Sequence, residues 1–303
     1  MTELMKRLGR VPALALWQLS VEAVEKVRWY AERLGPEVLV GAGALVCRMV
    51  EHPDMLGGYV TAMNEMFDAG LSFVPNTELR ELLITTRYSD AYHDPRSLLV
   101  HPLNLVRGLA QEAAKLGSRI HECSQIRAVR RDESCKLVTT DRGCVRARHI
   151  VLAGGAYLGP LHRRLSATIV PVAIFVMTTK PAPERIQTAI RTNAGISDSR
   201  LIPDYYRALP DGRLFWGGRA TAYPPSPKRI TRLLRDDMRR IYPQLADVEV
   251  EVAWSGLMSF SPPNADYRAS CGWAMDGRRV RRSRTRHHDG GRRSYRLSNR
   301  GRR

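Results

Sequence analysis

The sequence predicts an α/β fold built from two kinds of segment. In the first part of the chain, a helix is followed by short strands, and an apolar run with a glycine turn at Val151–Tyr157 ends the series. This order is typical of part of an α/β nucleotide-binding domain. After Ala167 come longer strand-like runs around a single helix. This second pattern indicates an antiparallel sheet with helices on one face.

Helices are predicted where apolar residues recur every three or four positions. The first runs from Leu16 to Leu34, and Gly35 and Pro36 end it because both residue types interrupt helices. The other predicted helices cover residues 55–69, Leu103–Leu116 and Lys228–Tyr242.

Strands are predicted from β-prone runs between turn residues. The region Glu37–Met49 predicts a strand, a turn and a second strand. Further strands are predicted over Arg119–Glu122, Ile126–Arg130, Lys136–Thr140, His149–Ala153, Ala167–Thr178, Arg213–Gly218 and Val248–Trp254.

The net charge of +18 is concentrated near the C-terminus. Residues 261–303 hold 13 arginines and three acidic residues, a net charge of +10, which leaves +8 for residues 1–260. A net positive charge of this size, taken alone, predicts nucleic acid or an anionic membrane as the partner. Its distribution instead indicates a moderately basic protein with a separate arginine-rich tail.

The cysteines and histidines show no pattern that predicts a disulfide framework or a metal site. The five cysteines are scattered without a C-x-x-C pair, which favours reduced thiols and a cytoplasmic location. The eight histidines lack zinc-like spacing. No run of about 18 apolar residues occurs, so no membrane span is expected.

Two glycine-containing segments are candidates for a nucleotide site. Val38–Val46 contains Gly41 and Gly43, but Val46 stands where a dinucleotide loop needs a third glycine, so a turn between two strands is favoured. In Val151–Tyr157, small residues after an apolar run allow a bulky ligand to approach the backbone. A tight strand-to-helix turn explains the same segment equally well.

The order of several segments resembles the D-amino-acid oxidase-like superfamily of FAD oxidoreductases. These segments are His101-Pro102-Leu103 with its helix, the strand near Ile126, Thr140–Gly143, Ala153–Ala156, Asp204–Gly218 and Trp254–Met258. The likeness extends roughly from Trp17 to Phe260 and is greatest to the glycine oxidase, sarcosine oxidase and gamma-glutamylputrescine oxidase branch.

The resemblance implies an incomplete, discontinuous FAD-binding domain alternating with an antiparallel-sheet substrate domain. It implies the oxidation of a C–H bond next to nitrogen in a small amine or amino acid, with hydride passing to the flavin and the imine then hydrolysed. Catalytic residues are left unassigned, since positioning the substrate requires no acid–base triad. The expected division is 1–50 and 98–165 for the FAD domain, 51–97 and 166–260 for the substrate domain, and 261–303 for the tail.

The resemblance also implies which residues contact which ligand. Those placed near the adenosine and pyrophosphate of FAD are Ile126, Ala153, Gly154, Gly155, Ala156 and Tyr157. Those placed on the substrate side of the flavin are Tyr206, Arg207, Trp216, Gly217 and Gly218. Tyr206 and Trp216 are equally explained as sheet core, and Arg207 as a surface arginine instead of a carboxylate ligand.

Both ends depart from the family pattern. The sequence starts near the helix that follows the usual G-x-G-x-x-G phosphate loop, so weak or lost FAD binding is expected. After Phe260 the likeness stops, yet residues 261–268, read one nucleotide later with permitted synonymous codons, yield A-R-Q-M-P-I-I-G. Residues 277–285 yield A-G-G-F-G-G-H-G-L in the same frame. We expect an out-of-frame tail, with a disordered arm that binds nucleic acid as the alternative.

Sequencing the coding DNA around codon 260 tests the expected frame change. Residues 294–303 yield a third match in that frame, R-I-A-S-A-I-A-G-D. We expect an open shifted frame that encodes these segments, because three matches in the family's order are hard to obtain by chance. Stop codons in that frame, or unrelated sequence, would show that the arginine-rich tail is genuine. Salt titration of nucleic-acid binding, with and without residues 261–303, then tests the alternative.

Overall fold

The computed structural model describes residues 2–49, 56–132 and 135–260. The expectations for residues 261–303, and the predicted helix start at residue 55, lie outside this part of the chain. The described residues form a mixed α/β structure with one large sheet and one small sheet, as the sequence predicted. None of its helices is both long and apolar enough to cross a membrane.

The predicted helices are all present. The helix at Leu16–Leu34 starts earlier, at Arg10, and Gly35 follows it with a positive φ of 116° that glycine adopts readily. The helices are α1 Thr2–Leu8, α2 Arg10–Leu34, α3 Leu56–Phe67, α4 Asn76–Leu82, α5 Pro102–Lys115, α6 Arg163–Ser166, α7 Pro183–Gln187 and α8 Pro227–Ile241.

The strands are more numerous than the sequence predicted. Those in the first half of the chain are β1 Leu39–Met49, β2 Ser72–Val74, β3 Tyr88–Val100, β4 Ile126–Asp132, β5 Cys135–Thr140 and β6 Cys144–Ala147. Those in the second half are β7 Val170–Thr179, β8 Gly195–Asp198, β9 Tyr205–Ala208, β10 Leu214–Thr221 and β11 Val250–Phe260.

The eight-stranded sheet has the order β11-β7-β10-β9-β8-β1-β3-β2, and β4, β5 and β6 form the small sheet. All neighbours in the large sheet are antiparallel except β1 and β8, which run parallel. The second half of the chain therefore shares its sheet with β1, β2 and β3. The division into domains stays a prediction.

Three strand predictions were wrong. Glu37–Met49 is not two strands joined by a turn, because β1 runs through the glycines and absorbs them as an irregularity around Gly43, whose φ is 84°. Arg119–Glu122 and His149–Ala153 form no strand in the described structure. A β-prone run needs a partner strand for its backbone groups, and none is placed beside these two.

The core lies between the large sheet and α8. The ring of Tyr206 stacks on Trp216 of the neighbouring strand, with centroids 4.1 Å apart and planes 6° from parallel. The Tyr206 hydroxyl lies 3.1 Å from that of Tyr88 on β3 and 2.9 Å from that of Tyr242, just after α8. Three elements that are distant in sequence thus meet at one buried side chain.

The region around α5 is packed much less closely. No residue of α5 is buried, and Leu103 and Val106 are mostly exposed. Val151, in the run that forms no strand, is exposed as well. The stable part of the described fold is therefore the large sheet with its core.

Replacing Tyr206 with Phe tests the tyrosine cluster. The change leaves the buried hydroxyls of Tyr88 and Tyr242 without their described partner, so we expect a loss of about 1–3 kcal/mol in the free energy of unfolding, measured by urea titration. Tyr223→Phe is the control, since Tyr223 is 85% exposed and should change stability by less than about 0.5 kcal/mol.

The same cluster predicts alkaline unfolding. Burial raises the pKa of Tyr206 well above its usual value, so the folded state keeps the proton while the unfolded state ionises near pH ~10. The contribution of Tyr206 to the free energy of unfolding should be constant below that pH and be lost progressively above it. Above pH ~10, the free energy of unfolding should decrease less steeply with pH in Tyr206→Phe than in wild type. The same slope in both proteins would contradict this explanation.

Candidate functional site

Strand alternation gives the large sheet two different faces. One face carries Tyr206 and Trp216 and packs on α8. The other carries Tyr205, Arg207, Phe215, Gly217 and Trp254, and we call this set the open face. The cross-strand pairs Phe215–Arg207 and Gly217–Tyr205 place these residues side by side.

One row of residues crosses the whole sheet on the side of the open face. Successive pairings connect Phe73, Tyr92, Val46, Ser197, Tyr205, Gly217, Val176 and Trp254. A parallel row connects Arg207, Phe215, Thr178 and Val252. Aromatic and aliphatic side chains make up most of the first row and half of the second, and Arg207 is the one charged member of either row.

Arg207 is a half-buried cation without a carboxylate partner among the described residues. Its Nη2 donates to the carbonyl oxygen of Val100 at 3.4 Å, a long bond that leaves the charge uncompensated. Burial lowers the pKa of its guanidinium, yet an arginine stays charged at neutral pH. The guanidinium is therefore available to an anion.

Aromatic rings lie beside Arg207. The ring centroid of Phe215 is 6.2 Å from that of Tyr205 and 6.4 Å from that of Trp254. The ring of Tyr205 covers Gly217, where an added Cβ would stand 2.2 Å from Cζ. Gly217 is thus needed for the position of Tyr205, so its role in the site is indirect.

Helix α3 lies on the same side of the sheet, at its β2–β3 end. The rings of Tyr59 and Tyr92 are 5.6 Å apart, and burial, with Tyr59 as a further cause, raises the pKa of Tyr92 to about 12. Nearby, Arg48 and Asp90 form a largely buried ion pair. Arg48 is therefore neutralised within the protein, unlike Arg207.

Three of the residues predicted on the substrate side lie in the core instead. Tyr206 and Trp216 are buried, as their alternative interpretation held. Gly218 makes room for Asp204, whose Oδ1 would stand 2.2 Å from an added Cβ. Only Arg207 and Gly217 of the predicted set lie on the open face.

The residues predicted to contact FAD lie in two places. Ile126 begins β4 in the small sheet and is partly exposed. Ala153 and Gly154 lead into a short 3-10 turn at Gly155–Tyr157, which also contains Ala156. This turn packs on β11, where the backbone N–H of Leu257 donates to the Tyr157 hydroxyl at 2.9 Å.

The turn at Gly155–Tyr157 packs against the chain itself and is partly open to solvent. An added Cβ on Gly154 would lie 3.2 Å from Leu158 Cα, and one on Gly155 would lie 3.2 Å from Ser259 Oγ. The chain's own packing therefore accounts for both glycines. Tyr157 is 69% exposed, and the N–H groups of Tyr157 and Leu158 already donate within the turn.

Among the described residues, neither a metal cluster nor the main surface concavity involves the predicted site residues. In the part of the chain that the structure describes, no three His, Cys, Asp or Glu side chains are placed to share a metal ion. A shallow concavity of about 1010 Å³ lies between α7 and the β9–β10 turn, lined by Ile186, Arg191 and Asp211 among others. It contains none of the predicted site residues.

Comparison with known families identifies the class of this protein. Residues 4–280 match the family described as "FAD dependent oxidoreductase", which covers most of the chain. The chain belongs to this family, and the resemblance deduced from the sequence motifs is confirmed.

Individual relatives are oxidoreductases. The chain is 27% identical over 265 residues to the "Probable oxidoreductase OrdL" of Rhizobium meliloti, covering 86% of this chain and 61% of the relative. It is 29% identical over 188 residues to the gamma-glutamylputrescine oxidoreductase of Escherichia coli, covering 61% of this chain and 44% of the relative. The chain thus spans about three fifths of the OrdL relative's length.

Solved structures of amino-acid oxidoreductases share the fold. The glycine oxidase of Geobacillus kaustophilus superposes with a TM-score of 0.68 at 20% identity, covering 82% of this chain and 68% of the enzyme. The L-proline dehydrogenase of P. horikoshii superposes with a TM-score of 0.65 at 15% identity, covering 81% of this chain and 67% of the enzyme. These likenesses confirm the predicted fold class.

The sequence interpretation missed several residues of the open face. Tyr205 and Phe215 were not singled out, although each neighbours a residue that was. Strand alternation would have separated them from Tyr206 and Trp216 if the register of β9 and β10 had been known. Tyr92 gave no signal, because β3 was not predicted as a strand.

Replacing Gly217 with Ala tests the packing beneath Tyr205. The new methyl group would overlap the Tyr205 ring, so the ring must shift, and we expect a loss of about 1–3 kcal/mol in the free energy of unfolding. Gly143→Ala is the control, because an added Cβ there meets nothing within 4 Å. Equal stability of the two variants in urea titrations would show that Tyr205 is free to move.

Proposed function

We propose that the chain carries the substrate-binding part of an FAD-dependent amine or amino-acid oxidoreductase. The observation that supports this most directly is the unpaired, half-buried Arg207 beside Tyr205 and Phe215, in a chain of the FAD dependent oxidoreductase family. Such a surface suits a small molecule that joins a carboxylate to an apolar or amine-bearing carbon frame.

Arg207 would hold the carboxylate. A guanidinium offers a planar pair of donors to two carboxylate oxygens, and this pairing is stronger where water is partly excluded. The neighbouring rings of Tyr205, Phe215 and Trp254 would then orient the rest of the molecule, and their faces tolerate an adjacent cationic amine. Orientation of the reacting carbon is the main contribution that such a protein makes.

The turn at Ala153–Tyr157 and Ile126 would be the residues of this chain that help to hold FAD. When bound, FAD accepts the hydride from the carbon next to nitrogen. The open shape of the turn supports weak binding of FAD, in line with the sequence expectation. We place the protein in the cytoplasm, with a small-molecule partner and no specific nucleic acid, on its scattered cysteines and its family.

Flavin binding is tested on the purified full chain. We expect well under one FAD per chain from the flavin absorption bands, because the cofactor residues form an exposed edge. A stoichiometric yellow protein would refute weak binding. With FAD in excess, bleaching of the flavin by amines and amino acids reports turnover, and no bleaching by any of them would contradict the proposed activity.

Anion binding is tested with benzenesulfonate, an aromatic anion whose charge does not change with pH. Arg207→Gln removes the cation, so we expect affinity to fall at least about tenfold, roughly 1.4 kcal/mol, as followed by tryptophan fluorescence. Arg232→Gln is the matched control, since Arg232 is an exposed arginine on α8, away from the open face. Equal affinity of both variants would remove Arg207 from the site.

A further inference from the structure

The connection between β8 and β9 contains two buried carboxylates held by one arginine. The side chains of Asp198 and Asp204 are 0% and 3% exposed, and Arg200 forms ion pairs with both while remaining 41% exposed itself. Arg200 Nε lies 3.0 Å from each Asp198 oxygen. We call these three residues the clasp.

The clasp also joins the backbone of the hairpin. Asp198 accepts from the backbone N–H of Arg200 at 3.0 Å and from that of Asp204 at 3.1 Å. The N–H of Asp198 donates to the carbonyl oxygen of Asp204 at 3.1 Å. The loop is therefore closed at its base, immediately before Tyr205.

Other charged groups surround Asp204 without replacing Arg200. Arg219 on β10 and Arg240 on α8 both pair with Asp237 of α8, so their charges are already engaged. Gly218 provides the space in which Asp204 sits. Cys47, which pairs with Asp198 across β1 and β8, stays a thiol because burial raises its pKa.

We infer that Arg200 is a positioning residue: through Asp198 and Asp204 it holds β9 against β8 and so sets the places of Tyr205 and Arg207 on the open face. Two adjacent carboxylates buried without a cation would repel each other and resist desolvation. Loss of Arg200 should therefore loosen this hairpin selectively. The ligand-binding consequence rests on the proposed function, whereas the effect on the hairpin does not.

The effect of removing Arg200 on the hairpin should depend on pH, and the direction of this dependence follows from Asp204. Burial raises the pKa of Asp204 to about 6, and Arg200 opposes that rise. Closing of the hairpin is thus easiest when Asp204 is protonated. The free-energy cost of burying its charge grows as pH rises from the ordinary aspartate range to about 6 and is fully present above that value. Without Arg200, the free-energy cost of burying the Asp204 charge at pH ~8 is larger. Protonation of Asp204 in acid should remove this additional cost.

Hydrogen exchange of segment 195–208 in the full chain, corrected for intrinsic rates at each pH, measures the hairpin directly. For Arg200→Gln we expect at least tenfold faster exchange than wild type at pH ~8 and less than threefold at pH ~5. The double variant Arg200→Gln with Asp204→Asn should return to within threefold of wild type at pH ~8. Equal acceleration at both pH values, or none at either, overturns the inference.

Arg213→Gln is the matched control. Arg213 also bridges two carboxylates, Asp211 and Glu251, but those are exposed and need no cation to remain hydrated. In Arg213→Gln, the hydrogen-exchange rate of segment 195–208 should stay within threefold of wild type. An acceleration equal to that of Arg200→Gln overturns the inference.

Benzenesulfonate affinity of the same variants separates the two proposals. Arg200→Gln should bind at least tenfold more weakly than wild type at pH ~8 and recover at pH ~5. Normal affinity despite a loosened hairpin overturns the positioning of Arg207. If wild type does not bind the probe while the exchange pattern holds, the proposed function fails and the inference about the hairpin stands.

Discussion

The stacking of Tyr206 on Trp216 is the contact on which the described structure most depends. It joins β9 to β10, and the Tyr206 hydroxyl extends the contact to Tyr88 on β3 and to Tyr242 after α8. Because β9 has only four residues, its backbone ladder alone could not fix its position firmly. The buried ring and its hydroxyl partners supply that fixation, and they orient the neighbouring residues Tyr205 and Arg207 away from the core.

This arrangement allows one strand to serve both stability and the proposed binding. Alternate residues of β9 point to opposite faces, so packing Tyr206 into the core necessarily presents Tyr205 and Arg207 on the open face. A slip of one residue would bury the charge of Arg207 and expose Tyr206. The core stack and the clasp act on the two sides of Tyr205 along the chain, and together they oppose such a slip.

The four longest helices and the fold class could be predicted from the sequence, because three-and-four periodicity is a local signal. The helix at Lys228–Tyr242 was predicted within one residue of α8. Strands depend on partners that are distant in sequence, so β2, β3, β6, β8 and β9 were missed, and Arg119–Glu122 and His149–Ala153 were wrongly predicted. The glycines near Gly43 predicted a turn because nothing local shows that β3 continues alongside β1.

The candidate site was predicted only in part, for the same physical reason. Motif resemblance identified the segment Asp204–Gly218 and with it Arg207, but it could not assign faces to single residues. Faces follow from register, and register follows from which side chains the core accepts. Tyr206 and Trp216, the most conspicuous aromatics of the segment, were therefore left with two equal interpretations, substrate side or sheet core, and both are buried in the structure.

The two regions of the chain differ in how their binding energy would be organised. On the open face, the cation and the rings are held in place before any ligand arrives, by a packed core behind them. Around the turn at Ala153–Tyr157, apolar surface is exposed and the backbone is partly used for internal bonds. A ligand there would have to order its own surroundings, which subtracts from affinity. The proposed substrate surface is thus preorganised while the proposed flavin side is not, so Arg207 would be able to bind an anion even if FAD binds weakly.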